Sequence, residues 1–239
     1  MTTELADRVI AIAGVGGGLG PLVTAELAAA GATVAGTDRD QALLDSLPGE
    51  LGIPAERWDG RAVDLLDEDA VEGWCAGLVE RFGRVDGLIH LVGGWRGGQP
   101  LHEAPLADWD LLHGLLIRTV QLTTRAFHGQ LAASDHGRFV LVSAKQAQQP
   151  TNANAAYAAA KAAAEAWTLA YADGFGAGGA TANIVVVDAI LTPKLRADNP
   201  GKDFPTFTPA EQLAQAIAFV CSDGAAKMNG QRLQLTIGA

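Results

Sequence analysis

The segment Gly14-Val15-Gly16-Gly17-Gly18-Leu19-Gly20 restricts the fold of this chain more than any other, because of what flanks it. Residues 9–13 before it form an apolar run with the length and composition of a buried strand, and residues 18–30 after it have helical periodicity that stops at Gly31. A strand that passes through several glycines into a helix turns tightly and leaves backbone N–H groups unmatched at the helix N-terminus. The alternation continues along the chain. Residues 33–37, a short stretch into Val63, and residues 88–92, 139–142, 184–187 and 233–237 read as strands. Helices are expected over 41–47, 67–82, 106–133, 154–175 and 208–221.

Strands that are apolar throughout belong in a sheet covered on both faces. Repeated β-α-β order with right-handed crossovers makes that sheet parallel and doubly wound. The fold class is therefore α/β: a Rossmann-type doubly wound parallel sheet with helices on both faces and its ligand at the carboxyl ends of the strands. The chain has 239 residues, 49% of them apolar, and no low-complexity or linker-like stretch, so a single domain over 1–239 is expected. Residues 1–145 would be its nucleotide-binding half, and 146–239 would carry a catalytic helix and a substrate lid.

Charge and cysteine usage exclude several classes of partner. The net charge is −10 and the basic residues are scattered. Such a surface suits neither nucleic acid nor an anionic membrane, both of which call for a basic face. Cys75 and Cys221 stand too far apart for a disulfide framework or a zinc site, and read as free thiols in a reducing compartment. Met1-Thr2-Thr3-Glu4 opens no signal peptide, and no window reaches the ~20 continuous apolar residues of a spanning helix, which makes a cytoplasmic protein the expectation. His90, His102, His113, His128 and His136 show no ligand spacing; each is expected to be satisfied or exposed, with no metal bound.

The glycine turn lies in the first βα connection, where a dinucleotide pyrophosphate meets backbone N–H groups and a helix N-terminus. Gly14, Gly18, Leu19 and Gly20 are the expected contacts. Asp38 ends the second strand about twenty residues later, where a carboxylate accepts bonds from both adenosine ribose hydroxyls. A 2′-phosphate there meets a like charge. At ~4 Å and an effective dielectric of about 20 the repulsion is roughly 4 kcal/mol before screening. NAD(H) is thus preferred, while the adjacent Arg39 keeps NADP(H) possible. Asp64 and Leu65, after the third strand, fall beside the adenine.

Tyr157 and Lys161 are spaced i, i+4 in a helical run and share one face. A free tyrosine has a pKa of about 10. An ammonium nearby is expected to lower it toward a value useful for proton exchange near neutral pH, and to hydrogen-bond the nicotinamide ribose.

Together the glycine turn, Asp38, Tyr157 with Lys161, and Thr192-Pro193 after the sixth strand resemble the short-chain dehydrogenase/reductase family across the whole chain. The resemblance implies further cofactor contacts at Gly93, Gly94, Ile190 and Thr192. It also implies a homo-oligomer, dimer or tetramer, built on the helices over 106–133 and 154–175. Two family residues are missing. The serine position, thirteen before Tyr157, holds Ala144 between Ser143 and Lys145, and the asparagine position holds Leu116. The family's Asn-Asn-Ala-Gly is His90-Leu91-Val92-Gly93. Ser143 is adjacent to the missing serine but faces the other side of the strand.

These departures resemble the quinonoid dihydropteridine reductase branch. Gly93-Gly94-Trp95-Arg96-Gly97-Gly98 matches its Gly-Gly-Trp segment, Ala144-Lys145 its replacement of the serine, and Thr192-Pro193, Asp203-Phe204 and Thr208-Pro209 its lid. That branch implies an NADH-dependent reductase of a quinonoid dihydropterin or similar conjugated imine, which accepts hydride without a polarised carbonyl. Tyr157 would give the proton, Lys161 would assist it, and Trp95 and Ala144 would face the substrate under a lid over 194–207. Alternatives are a carbonyl or imine reductase acting on another small substrate, and a catalytically weak NAD(H)-binding sensor or scaffold.

Overall fold

The computed structural model of the chain describes residues 4–176 and 178–236. Seven parallel strands form the central sheet in the order β3-β2-β1-β4-β5-β6-β9. They are β1 (Val9–Ala13), β2 (Thr33–Asp38), β3 (Trp58–Ala62), β4 (Gly87–His90), β5 (Arg138–Ala144), β6 (Thr181–Val187) and β9 (Arg232–Gln234). The chain reverses its direction of growth between β1 and β4, and the crevice for a ligand opens at such a switch point.

Side-chain alternation along the strands explains the two-sided covering. On β1, Val9, Ala11 and Ala13 enter one core with α3 (Glu68–Phe82), α5 (Thr119–Ala133) and α6 (Ala155–Gly174). Ile10 and Ile12 point the other way, into a core with α1 (Gly20–Ala29), α2 (Gln41–Leu51) and α8 (Ala210–Cys221). Trp74 of α3 and Phe127 of α5 are fully buried and meet edge to face at 4.9 Å, which locks these helices together. The doubly wound α/β expectation holds.

Several boundaries differ from the sequence reading for identifiable reasons. Helix α1 begins at Gly20, because residues 17–19 belong to the turn. Helix α2 runs to Leu51, past the interior Pro48. A proline there frees the carbonyl of Leu44, and the Trp58 indole N–H donates to that carbonyl at 3.2 Å. Thr208 and Pro209 are not helical. They lie in β8 (Phe207–Pro209), which pairs in parallel with β7 (Ala189–Leu191) as a separate two-stranded sheet. Strands this short leave no periodicity to read. The helix α7 (Pro193–Asp198) overlaps the start of the expected lid over 194–207. The last strand is Arg232–Gln234 rather than 233–237, and Ile237, like Met1-Thr2-Thr3, lies outside the described residues.

His90 corrects the expectation that every histidine is satisfied or exposed. It ends β4 at 1% exposure, and neither ring nitrogen has a hydrogen-bond partner among the described residues. Burial, reinforced by the Lys161 charge, pushes its pKa down to about 3. The unfolded chain takes up this proton near 6.5. Stability from the neutral imidazole is therefore complete above pH 6.5 and is lost as pH falls toward about 3. Between pH 6.5 and 4.5, before the carboxylates respond, the loss is roughly 2–3 kcal/mol. His90→Leu is expected to abolish that slope in urea unfolding. Parallel losses in the variant and the parent protein would show that His90 takes no part.

Candidate active site

A cleft of about 750 Å³ opens at the carboxyl ends of the central strands. Its walls include the glycine-turn positions Gly14, Gly18, Leu19 and Gly20, then Asp38, Arg39, Asp64 and Leu65. They continue through Gly93, Gly94, Trp95, Ala144, Tyr157, Lys161, Ile190 and Thr192. All sixteen expected cofactor, catalytic and substrate contacts thus meet around one space, whereas none of the described residues of the expected lid over 194–207 lines it.

The glycine turn is fixed from the second strand. The Gly14 and Val15 N–H groups donate to the Thr37 carbonyl at 2.9 and 3.1 Å. Asp38 accepts from the N–H of Gly16 at 3.0 Å and from its neighbour Arg39 at 2.7 Å. Gly14 has φ +91°, and a Cβ there would stand 3.0 Å from the Val92 nitrogen, so a side chain is excluded twice over. The N–H groups of Gly17, Gly18 and Leu19 have no acceptor among the described residues and stand at the N-terminus of α1. Free donors at a helix start, next to a carboxylate at a strand end, fit the phosphates and ribose of a dinucleotide. Thr192 closes the turn from above: a Cβ at Gly18 would come within 2.8 Å of its methyl group, while its hydroxyl caps α7 by accepting from the Leu195 N–H at 3.1 Å.

At the other end, α6 presents Tyr157, Lys161 and Glu165 at successive turns. Lys161 is buried, and its Nζ donates to the Val142 carbonyl at 2.9 Å. Glu165 accepts from Ser143 Oγ at 2.7 Å, Arg232 Nε at 2.6 Å and Gln148 Nε2 at 3.3 Å. Ser143 and Ala144 both line the cleft, which corrects the expectation that Ser143 faces the other side of the strand, but the Ser143 hydroxyl is taken up by Glu165 and Ala144 has none to offer. Burial pushes Lys161 down to about 8, against the opposing charge of Glu165. Burial pushes the Tyr157 phenol up to about 12, which corrects the expected lowering by Lys161. The reason is local: the ring is half-buried against Leu112, Leu116, Ile117 and Ala160, and the ammonium is held on the Val142 carbonyl.

The expected helix over 106–133 is α4 (Leu106–His113), a π-turn at Gly114–Arg118, and α5. The turn offsets the two helices, so that Leu115 lines the cleft while Leu116 packs beneath Tyr157. Trp95 lines the cleft at 56% exposure, and a Cβ at Gly97 would lie 3.0 Å from its ring. It therefore also rests against its own glycine loop, which the Gly98 N–H ties to the Ala153 carbonyl at 2.8 Å. Sequence reasoning missed Leu115, Thr119, Gln146 and Asp188, which also line the cleft. For Asp188 a signal existed: it directly follows β6, at the strand end where this architecture places ligands. Among the described residues no helix is long and apolar enough to cross a membrane, and no group of three His, Cys, Asp or Glu side chains could hold a metal.

Fold and cleft together define a nucleotide-binding α/β protein with an oxidoreductase layout. A family model described as enoyl-(acyl carrier protein) reductase matches residues 14–239. The (2S)-[(R)-hydroxy(phenyl)methyl]succinyl-CoA dehydrogenase subunit BbsD of Thauera aromatica is 30% identical, over 97% of this chain and 96% of its own. Levodione reductase of Leifsonia aquatica is 28% identical, over 95% and 92%. A short chain oxidoreductase from Pseudomonas aeruginosa PAO1 containing an atypical catalytic center superposes with a TM-score of 0.89 at 22% identity, over 98% of both chains, a likeness of fold. The chain belongs to the short-chain dehydrogenase/reductase family, whose members are oxidoreductases that bind NAD(P)(H).

Proposed function

We propose that this oxidoreductase is dihydropteridine reductase-like and reduces a quinonoid dihydropterin or a similar conjugated imine at the expense of NADH. The observation that carries this reading is the methyl group of Ala144 on the cleft wall where the family has its serine, with Ser143 committed to Glu165. A ketone reductase requires a hydroxyl at that place to hold and polarise the substrate oxygen. An electron-poor imine system accepts hydride without one.

When bound, the dihydronicotinamide supplies the hydride. The protein's part is to bind, orient and move one proton. Gly14, Gly18, Leu19 and Gly20 would hold the pyrophosphate, Asp38 the adenosine ribose, and Asp64 and Leu65 the adenine. Gly93, Gly94, Ile190 and Thr192 would flank the nicotinamide half, with Lys161 on its ribose. Tyr157 stays protonated at neutral pH and hands its proton to the nitrogen that gains electron density. Trp95 stacks on the flat ring system and sheds water from it.

The decisive assay follows NADH oxidation with chemically generated quinonoid dihydropterin, beside a panel of ketones. Pterin-dependent oxidation is expected. Oxidation with ketones alone would replace this reading by the carbonyl reductase one, which the similarity to levodione reductase favours. Tight NADH binding with neither reaction would point to a sensor or scaffold.

The preference for NADH over NADPH rests on Asp38, with Arg39 exposed beside it. Asp38→Asn keeps an acceptor for the Gly16 N–H and removes the like charge. It is expected to raise the NADPH-to-NADH ratio of kcat/KM by about 10- to 100-fold, the screened remainder of the charge repulsion. An unchanged ratio would place the choice of cofactor elsewhere. A cytoplasmic homo-oligomer completes the reading, with the exposed Leu106, Trp109 and Leu111 of α4 on the subunit face.

A further inference from the structure

Among the described residues that line the cleft, Asp188 is the one carboxylate apart from Asp38 and Asp64, which the proposed function places at the adenosine end. It directly follows β6, its side chain is only 19% exposed, and no donor among the described residues hydrogen-bonds it. Its nearest cation is Lys145 Nζ at 3.9 Å, beyond hydrogen-bond reach. With no donor in place, its carboxylate oxygens are open to the cleft and available to a ligand. The cleft thus offers the Asp188 carboxylate as an acceptor, together with the flat face of Trp95 and the Tyr157 phenol.

We propose that Asp188 determines substrate specificity by accepting paired N–H bonds from an amidine- or guanidine-like edge of the substrate. A carboxylate meets two parallel N–H groups on a planar edge in the same forked geometry that joins it to a guanidinium. Lys145 keeps the carboxylate oriented without using its lone pairs, and yields when the ligand arrives. A substrate with a carboxylate at this position meets a like charge and is rejected. The inference deepens the pterin reading, on which it rests for the placement of the substrate beside Tyr157, because a 2-amino-4-oxo pyrimidine ring carries such an edge.

The test uses three ligands of one size that differ at that edge, benzamidine, benzamide and benzoate, titrated calorimetrically into the NADH-saturated protein. Benzamidine is expected to bind at least tenfold more tightly than benzoate, in keeping with the strength of charged hydrogen bonds. Asp188→Asn, nearly isosteric, should bring the ratio close to one while NADH affinity and melting temperature stay at parental values. Lys145→Met should tighten benzamidine binding by removing a positive charge that repels the amidinium. A parental protein that favours benzoate, binds all three alike, or binds none measurably overturns the proposal. So does an Asp188→Asn variant that keeps the parental ratio. The pterin reading fails separately: amidine selectivity without turnover of quinonoid dihydropterin would leave Asp188 in its role and remove the pterin.

Discussion

Replacing Tyr157 by phenylalanine is expected to lower kcat by about 10²- to 10⁴-fold, the range for loss of a positioned proton donor, and to leave NADH binding intact. The substitution removes one oxygen. The ring keeps its packing against Leu112, Leu116, Ile117 and Ala160, so the fold around it does not change. The contacts proposed for the cofactor come from other residues, and Lys161 retains its own anchor on the Val142 carbonyl. What disappears is the only phenol on the cleft wall. Burial holds that phenol near 12, so it is a donor over the whole range in which enzymes of this kind are assayed, and reduction consumes a proton. Steady-state rates with NADH and the substrate of the proposed assay, beside a fluorescence titration of NADH, separate the two effects. An unaltered kcat would remove Tyr157 from the reaction. Loss of NADH affinity instead of kcat would make its role one of cofactor binding.

The second large effect is expected at Gly20. A Cβ there would stand 2.0 Å from the Val15 carbonyl oxygen and 2.5 Å from the Val15 Cα, both backbone atoms. Neither has room to retreat. The Val15 N–H is bonded to Thr37, and its side chain is fully buried beside Gly36, where an added Cβ would already be 2.9 Å from it. Gly20→Ala must therefore open the turn. A destabilisation of about 3 kcal/mol, the upper part of the usual range for overpacking, is expected, with NADH affinity lowered at least tenfold as the donors lose their alignment. Gly17→Ala is the internal control. Its Cβ would find only the Gly14 oxygen at 3.7 Å, an ordinary contact, and its backbone angles suit any residue. Thermal melts of the pair and an NADH titration of Gly20→Ala check this. Equal melting temperatures of the two variants would mean that the turn is not held as rigidly as its contacts indicate.

The same turn shows why so much of the architecture was legible beforehand. Residues 9–13 are apolar because both faces of β1 are covered, and that two-sided burial is what a continuous hydrophobic run records. Glycines at 14 and 20 are demanded by contacts that no side chain permits, so they mark the turn in any reading. Tyr157 and Lys161 were legible because a helical turn is a fixed distance. Two things were not. The ionisation of Tyr157 depends on the direction of the Lys161 ammonium and on packing from α4 and the π-turn, neither of which spacing encodes. Likewise the pairing of β7 with β8 joins residues far apart in the chain through three-residue segments too short to carry a pattern. His90 looked ordinary because nothing in its neighbours announces that β4 will bury it beside a lysine.

Glu165 gives the site a dependence on order of synthesis. Its carboxylate lies one helical turn below Lys161, and the guanidinium that meets it at 2.6 Å belongs to Arg232, on the final strand of the described residues. A nascent polypeptide that has already emerged as far as α6 holds the tyrosine and the lysine, yet lacks the counter-ion that completes the interior beneath them. The carboxylate beneath Lys161 therefore gains its guanidinium only when the sheet's outermost strand docks, and a prematurely released fragment ending at α6 would lack this ion pair together with Ile190 and Thr192 of the cleft wall.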